Sequence, residues 1–151
     1  MGKYRSYKRF IGYSTAFRQW KADSHCSKMH GYAFAFKVWF EGELDDKGWV
    51  IDFGCFKRNG VKKWLKDMFD HTTCVSSDDP ELSLFKKMHN RGIIDLRILE
   101  GGVGCEKFAE LIANQLDEVI QAETDGRVRI HKCQVWEHND NMAEYYLGSQ
   151  K

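Results

Sequence analysis

From His30 the chain alternates without a break. His30, Tyr32, Phe34, Phe36, Val38 and Phe40 fall on one side, and Gly31, Ala33, Ala35, Lys37 and Trp39 on the other. Successive side chains of an extended segment point to opposite faces, so this stretch predicts a long strand with one face buried. Tyr4 to Phe17, rich in aromatic and β-branched residues, is the expected strand before it. Between them Arg18 to Met29 is polar and without period, and reads as a long loop. An acidic turn, Asp45-Asp46-Lys47-Gly48, leads into Trp49-Val50-Ile51-Asp52-Phe53 and predicts a hairpin. After Gly54 the period changes: Val61, Trp64, Leu65, Met68 and Phe69 make one helical stripe, and Phe108, Leu111, Ile112, Leu116, Val119 and Ile120 another. Asp79-Pro80 supplies a cap and first residue for a short helix through Leu82, Phe85 and Met88. Ile93 to Leu99, Val128 to Glu137 and Met142 to Leu147 read as further extended pieces. Strands around paired helices predict an α+β layer fold, an antiparallel sheet with helices on one face.

Composition narrows the function classes. At 151 residues, 42% hydrophobic and 30% charged, the chain is expected to form one domain over residues 1–151 with a substantial core. Its 23 basic residues balance 22 acids, a poor match to a protein held mainly by phosphate backbones. Lys3, Arg5, Lys8 and Arg9 interleave with Tyr4, Tyr7 and Phe10, yet the same letters make an ordinary solvated strand, and no nucleic-acid partner is expected. No apolar run approaches the ~20 residues of a membrane helix. Met1 to Phe10 lacks the apolar centre of a signal peptide. The five cysteines are an odd number without a Cys-x-x-Cys pair, which predicts reduced thiols and a cytoplasmic location.

Four places carry candidate chemistry. The densest is Asp23 to Tyr32, where a loop enters a strand. There Cys26 has His25, Lys28 and His30 close in sequence, the kind of positive surroundings that favour a reactive thiol. Asp70-His71 sets a carboxylate beside an imidazole, a common proton-transfer arrangement, although a solvated helix end explains the pair equally well. Glu137 ends the apolar run Val135-Trp136, where a carboxylate can accept two parallel N–H donors or simply face water. Cys105-Glu106 opens the second long helix, and Glu106 there favours the helix dipole.

In this order and spacing, the pieces resemble the 6-pyruvoyltetrahydropterin synthase and 6-carboxytetrahydropterin synthase family. The resemblance rests on Tyr13-Ser14-Thr15-Ala16-Phe17, Cys26-x-x-x-His30-Gly31-Tyr32, Gly48-Trp49-Val50-Ile51-Asp52-Phe53, Asp70-His71, Cys105-Glu106 and Trp136-Glu137, and runs from about Tyr13 to Tyr146. It implies the tunnelling fold, a four-stranded antiparallel sheet with two long helices on one face (ββααββ). Subunits of that fold assemble into an oligomeric barrel, by resemblance a hexamer, with active sites at subunit interfaces. It implies Cys26 as the proton-abstracting residue, Asp70 and His71 as its relay, and Glu137 as the anchor of a pterin ring. Cys105 and Glu106 match the helix-start residues of the substrate pocket, Cys105 standing where the family often has Ser or Thr. The family's zinc is held by a histidine on the first strand and a His-x-His pair on the next. Phe17, His30 and Tyr32 occupy those places here, so only His30 remains, and His25 is the nearest replacement.

The expected activity is therefore a carbon–oxygen lyase acting on 7,8-dihydroneopterin triphosphate. The resemblance leans toward the 6-carboxytetrahydropterin product on the route to 7-deazaguanines such as queuosine. The 6-pyruvoyl product is one alternative; a pterin- or purine-binding protein that has lost catalysis with its zinc is the other.

Overall fold

The computed structural model describes residues 2–147. Strands β1 (Tyr4–Phe17) and β2 (His30–Gly42) pair antiparallel along their whole length, from Tyr4 opposite Gly42 to Phe17 opposite His30. The alternation of β2 survives intact, with Phe34, Phe36, Val38 and Phe40 fully buried. That of β1 does not, because the register shifts between Ile11 and Tyr13. Gly12, at φ 86°, absorbs the extra residue in a conformation that side chains rarely adopt. Before it the buried residue is Phe10; after it they are Thr15 and Phe17. The bulge changes the parity of the inward face, which is why β1 shows no clean period two.

The sheet has six strands rather than four, in the order β4-β3-β1-β2-β5-β6. β5 (Val128–His138) pairs antiparallel with β2, and β6 (Asn141–Tyr146) with β5. The two additional strands are β3 (Thr72–Ser76), parallel to β1, and β4 (Leu96–Leu99), parallel to β3. The sheet is therefore mixed, not antiparallel throughout. All five residues of β3 are buried, so it carries no alternation by which to recognise it.

Trp49–Phe53 does not form the expected strand. Both edges of β2 are already taken, by β1 and by β5. The segment instead buries Val50 and Ile51 and leaves Trp49 and Phe53 exposed. Arg127 Nη1 donates to the carbonyls of Glu43 (2.5 Å) and Val50 (3.0 Å), supplying some of the bonds a ladder would have made.

Nor are there two long helices. α4 (Cys105–Glu123) is long, whereas α1 (Cys55–Arg58), α2 (Val61–Phe69) and α3 (Leu82–Asn90) are short. Asp79 caps the turn before α3, its Oδ1 accepting from Glu81 N–H at 2.8 Å. α4 lies along β5 and β6. Its Phe108 meets Phe17, Phe34 and Phe69 edge-on at centroid distances of 5.2 to 5.6 Å. Phe34, Phe36, Phe40, Phe56, Phe69 and Phe108 are all 0% exposed. Burying side chains of this size stabilises the fold by about 1.5–3 kcal/mol each. Among the described residues no helix is long and apolar enough to cross a membrane.

Candidate active site

The loop between β1 and β2 is tied down at both ends. Arg18 grips Asp79 with two bonds, Nε to Oδ2 at 2.9 Å and Nη2 to Oδ1 at 2.6 Å. The Gln19 N–H donates to the carbonyl of Cys26 at 2.8 Å. Ser24 Oγ accepts from Cys26 N–H and starts a single 3₁₀ turn, His25–Ser27. This holds Cys26 half-buried and close enough to the Tyr32 phenol for its charge to bear on it. His25 points to solvent from the same turn.

Beside Tyr32, the ends of three elements converge on Glu137. Cys105, at the start of α4, donates its thiol to Glu137 Oε1 at 3.3 Å. The Asn141 amide, at the start of β6, reaches Oε2 at 3.3 Å. The Tyr32 phenol lies within hydrogen-bonding reach from β2. Burial, reinforced by Glu137, pushes the Cys105 thiol up to about 12. The Tyr32 phenol is raised as well, first by burial and then by Glu137. Both groups are thus neutral donors at ordinary pH, arranged around a single carboxylate.

Asp70 and His71 are presented separately. Asp70 closes α2, and His71 follows in the left-handed region at φ 57°. A reciprocal tie to β1 sustains this unusual backbone: His71 N–H donates to the Ser14 carbonyl at 2.6 Å, and Ser14 N–H to Asp70 Oδ1 at 3.2 Å. Asp70 Oδ1 also meets His71 Nδ1 at 3.1 Å. The Ser14 N–H bond, with His71 adding to it, holds the Asp70 carboxyl below the usual range. The imidazole itself is 85% exposed. It overlooks an open groove of about 720 Å³ whose wall includes Thr73. Tyr32 points with His30 and Phe34 toward Glu137, whereas Gly31 and Ala33, on the opposite face of β2, line the groove beside His71.

Of the residues expected from sequence, Cys26, Cys105 and Glu137 gather around Tyr32, and Asp70 stays with His71. Glu106 does not join them. It is exposed, one residue along α4, and lines a separate cavity with Trp20, Lys21 and Lys107. Sequence reasoning missed Ser14 as a tie and Asn141 as a donor. It read Tyr32 only as a lost metal ligand, although the alternation of β2 already put His30 and Tyr32 on one face.

The residues do not fit a catalytic zinc, which takes three protein ligands and an open position. Among the described residues, no three His, Cys, Asp or Glu side chains converge on one point. The Phe17 ring packs on His30 at 4.7 Å, and His30 faces Tyr32 at 5.6 Å. His30 Nδ1 is engaged by the Lys28 carbonyl at 2.7 Å. The place of the family's metal triad is an aromatic cluster, and His25 does not turn into it.

Comparisons with known proteins agree with this arrangement of elements. A profile described as 6-pyruvoyl tetrahydropterin synthase matches residues 7–147. A Rickettsia typhi protein named 6-carboxy-5,6,7,8-tetrahydropterin synthase is 33% identical over 92 residues, 60% of this chain and 64% of its own. Its Rickettsia conorii namesake is 32% identical over 75 residues, 49% of this chain and 54% of its own. The chain thus spans a little over half the length of these curated relatives. The fold is shared with an uncharacterized protein from Wolinella succinogenes, at a TM-score of 0.82 and 17% identity over 97% of this chain and 99% of that one. It is also shared with the 6-pyruvoyl tetrahydropterin synthase of Caenorhabditis elegans, at a TM-score of 0.66 and 20% identity over 98% of each chain. With the profile running from β1 through the last described residue, the chain belongs to the 6-pyruvoyl tetrahydropterin synthase family.

Proposed function

We propose that the chain is a carbon–oxygen lyase acting on 7,8-dihydroneopterin triphosphate to give 6-carboxytetrahydropterin, a precursor of 7-deazaguanines such as queuosine. The observation that carries this reading is the Glu137 carboxylate, 19% exposed at a strand end and held from both sides by its own chain. A carboxylate accepts two parallel N–H bonds from the aminopyrimidine edge of a pterin, and no neutral side chain does so as well. The names of the Rickettsia relatives support the carboxy product over the pyruvoyl one.

In the reaction, Glu137 fixes the ring and aims its side chain toward Cys26. The Cys26 sulfur takes a proton from a side-chain carbon as the carbon–oxygen bond to triphosphate breaks. Reaching the carboxy product then takes one water and the cleavage of a side-chain carbon–carbon bond, with the two terminal carbons leaving as acetaldehyde. His71, oriented through Nδ1 by Asp70, carries the proton onward. No step passes through a metal. In this proposal the relay is completed where subunits meet in a homo-oligomeric barrel, a reading supported by the open groove beside His71. The setting is the cytoplasm, with no nucleic acid or membrane as partner.

A second reading has one observation in its favour. The aromatic cluster of Phe17, His30 and Tyr32 fits a pterin-binding protein that has given up catalysis with its metal. Turnover decides between them. The full chain, incubated with 7,8-dihydroneopterin triphosphate, should release triphosphate and a tetrahydropterin separable by chromatography. Glu137→Gln should weaken pterin binding about tenfold, since an amide supplies one acceptor where two are needed, and leave the unfolding midpoint in place. Unchanged affinity in a calorimetric titration rejects the pterin pocket. Tight binding without turnover leaves the binding protein.

A further inference from the structure

An ionised carboxylate offers about four acceptor positions on two oxygens. Glu137 would swing about its own side-chain bonds unless each oxygen were held, and two elements hold one each. On Oε1 sits the Cys105 thiol at 3.3 Å, buried at the first turn of α4. On Oε2 sits the Asn141 amide at 3.3 Å, across the tight turn that joins β5 to β6. The same Nδ2 stands 3.2 Å from His138 Nε2, whose Nδ1 accepts from the Asp140 N–H. The carboxylate sets the amide's orientation, because turned over it would put Oδ1 against Oε2. The two bonds reach opposite oxygens from different parts of the chain, so together they fix the plane of the carboxylate as well as its place. One acceptor position is left on each oxygen, the pattern that a flat pair of N–H donors needs.

We infer that Cys105 and Asn141 are positioning residues, a two-sided clamp that presents the Glu137 carboxylate edge-on to the pterin ring. The inference rests on the pterin reading of the site and assigns Cys105 a task other than touching substrate. A thiol that stays protonated is suited to the task, and burial beside Glu137 keeps Cys105 so. A serine hydroxyl would replace it; an alanine would not.

Calorimetric titration with neopterin and steady-state turnover of 7,8-dihydroneopterin triphosphate test the clamp on the full chain. Cys105→Ala and Asn141→Ala should each weaken neopterin binding about tenfold, the effect of one hydrogen bond to a charged group. Both should raise KM while holding kcat within about twofold, because a misaligned anchor loses binding rather than chemistry. Cys105→Ser should restore most of the affinity, which a merely space-filling Cys105 would not require. Asn141 is exposed, so its variant folds even if Cys105→Ala does not. If the wild type binds neopterin and both variants bind it as tightly, the clamp is overturned while the pterin reading stands. A loss confined to one variant overturns the two-sided arrangement. Should the wild type bind no neopterin, the pterin reading falls and urea unfolding decides the clamp alone. A double-mutant cycle of Cys105→Ala with Glu137→Ala must then be non-additive, and additive effects overturn it.

Discussion

Cys26 and Cys105 both lie near the Tyr32 phenol, and their surroundings divide their tasks. Cys105 is buried against a carboxylate, which pins its proton in place. Cys26 is half-buried on a loop whose backbone is tied through Gln19 and Ser24, so its sulfur remains within reach of a ligand. The sequence placed Cys26 among basic neighbours; the structure adds that His25 points away and that Tyr32 is the group nearby. Cys26→Ala should abolish product formation from 7,8-dihydroneopterin triphosphate while leaving neopterin binding unchanged. Cys133 serves as the control. It is fully buried in the sheet, and the same assay should find Cys133→Ala active, with a loss of about 1–2 kcal/mol in urea unfolding for the small cavity it leaves. Full activity in Cys26→Ala would remove the proton-abstraction role. The Phe17 ring is 3% exposed and packs on Phe34 and Phe108, and a polar imidazole there would lack a partner unless a metal supplied one.

At the scale of elements, the β5 strand carries a second bulge, between Ile130 and Lys132, that turns His131 out of the ladder's phase. His131 is 6% exposed, its Nδ1 has no hydrogen-bond partner, and its ring meets Tyr146 of β6 edge-on at 5.5 Å. Glu41 lies 4.0 Å away but is already bonded to Arg5 at 2.8 Å. Burial first, then the charges of Arg5 and Lys132, lower the imidazole below its ordinary 6.5, against the opposing pull of Glu41 and Glu144. The folded state therefore binds this proton less readily than the unfolded chain. Its contribution to stability is complete above pH 6.5 and is lost as pH falls from there toward the lowered value. Urea midpoints taken between pH 7.5 and 5.5 should fall for the wild type and fall less for His131→Phe. Parallel slopes would show that another group sets this limb. The carboxylates held low, Asp70 and Asp79 among them, act in a separate and more acid window.

The β2 strand makes a steric demand of its own. A Cβ on Gly42 would stand 2.5 Å from the Arg127 carbonyl oxygen. Gly42→Ala should cost about 1–3 kcal/mol in the same unfolding experiment, because backbone must move to admit it. Gly12 shows the contrasting case: nothing lies within 4 Å of its Cβ position, and only its positive φ calls for glycine.

For the whole molecule, β4 and β6 form the two outer edges of a sheet six strands wide. Bare edges pair with other chains unless covered, and joining one subunit's edge to the next closes a barrel. Light scattering at micromolar concentration should therefore find a homo-oligomer, a hexamer by family resemblance; a monomer would count against both the barrel and the relay completed between subunits. By itself the sequence determined the elements whose buried face repeats at a local period, β2 and the stripes of α2 and α4, with β5 legible from its β-rich composition alone. It also placed Cys26, Asp70 and Glu137 at the ends of such elements. A period is legible because each residue's side depends only on the phase of its own segment. The tertiary structure alone decided what depends on distant segments meeting. It inserted β3 as a strand parallel to β1, set part of the expected Ile93 to Leu99 piece beside it as the parallel β4, and denied Trp49–Phe53 an edge to pair with. It brought Cys105 to Glu137 across 32 residues and Ser14 to Asp70 across 56. Such contacts are selected by how the whole chain closes around Phe34, Phe69 and Phe108, and no local pattern records them.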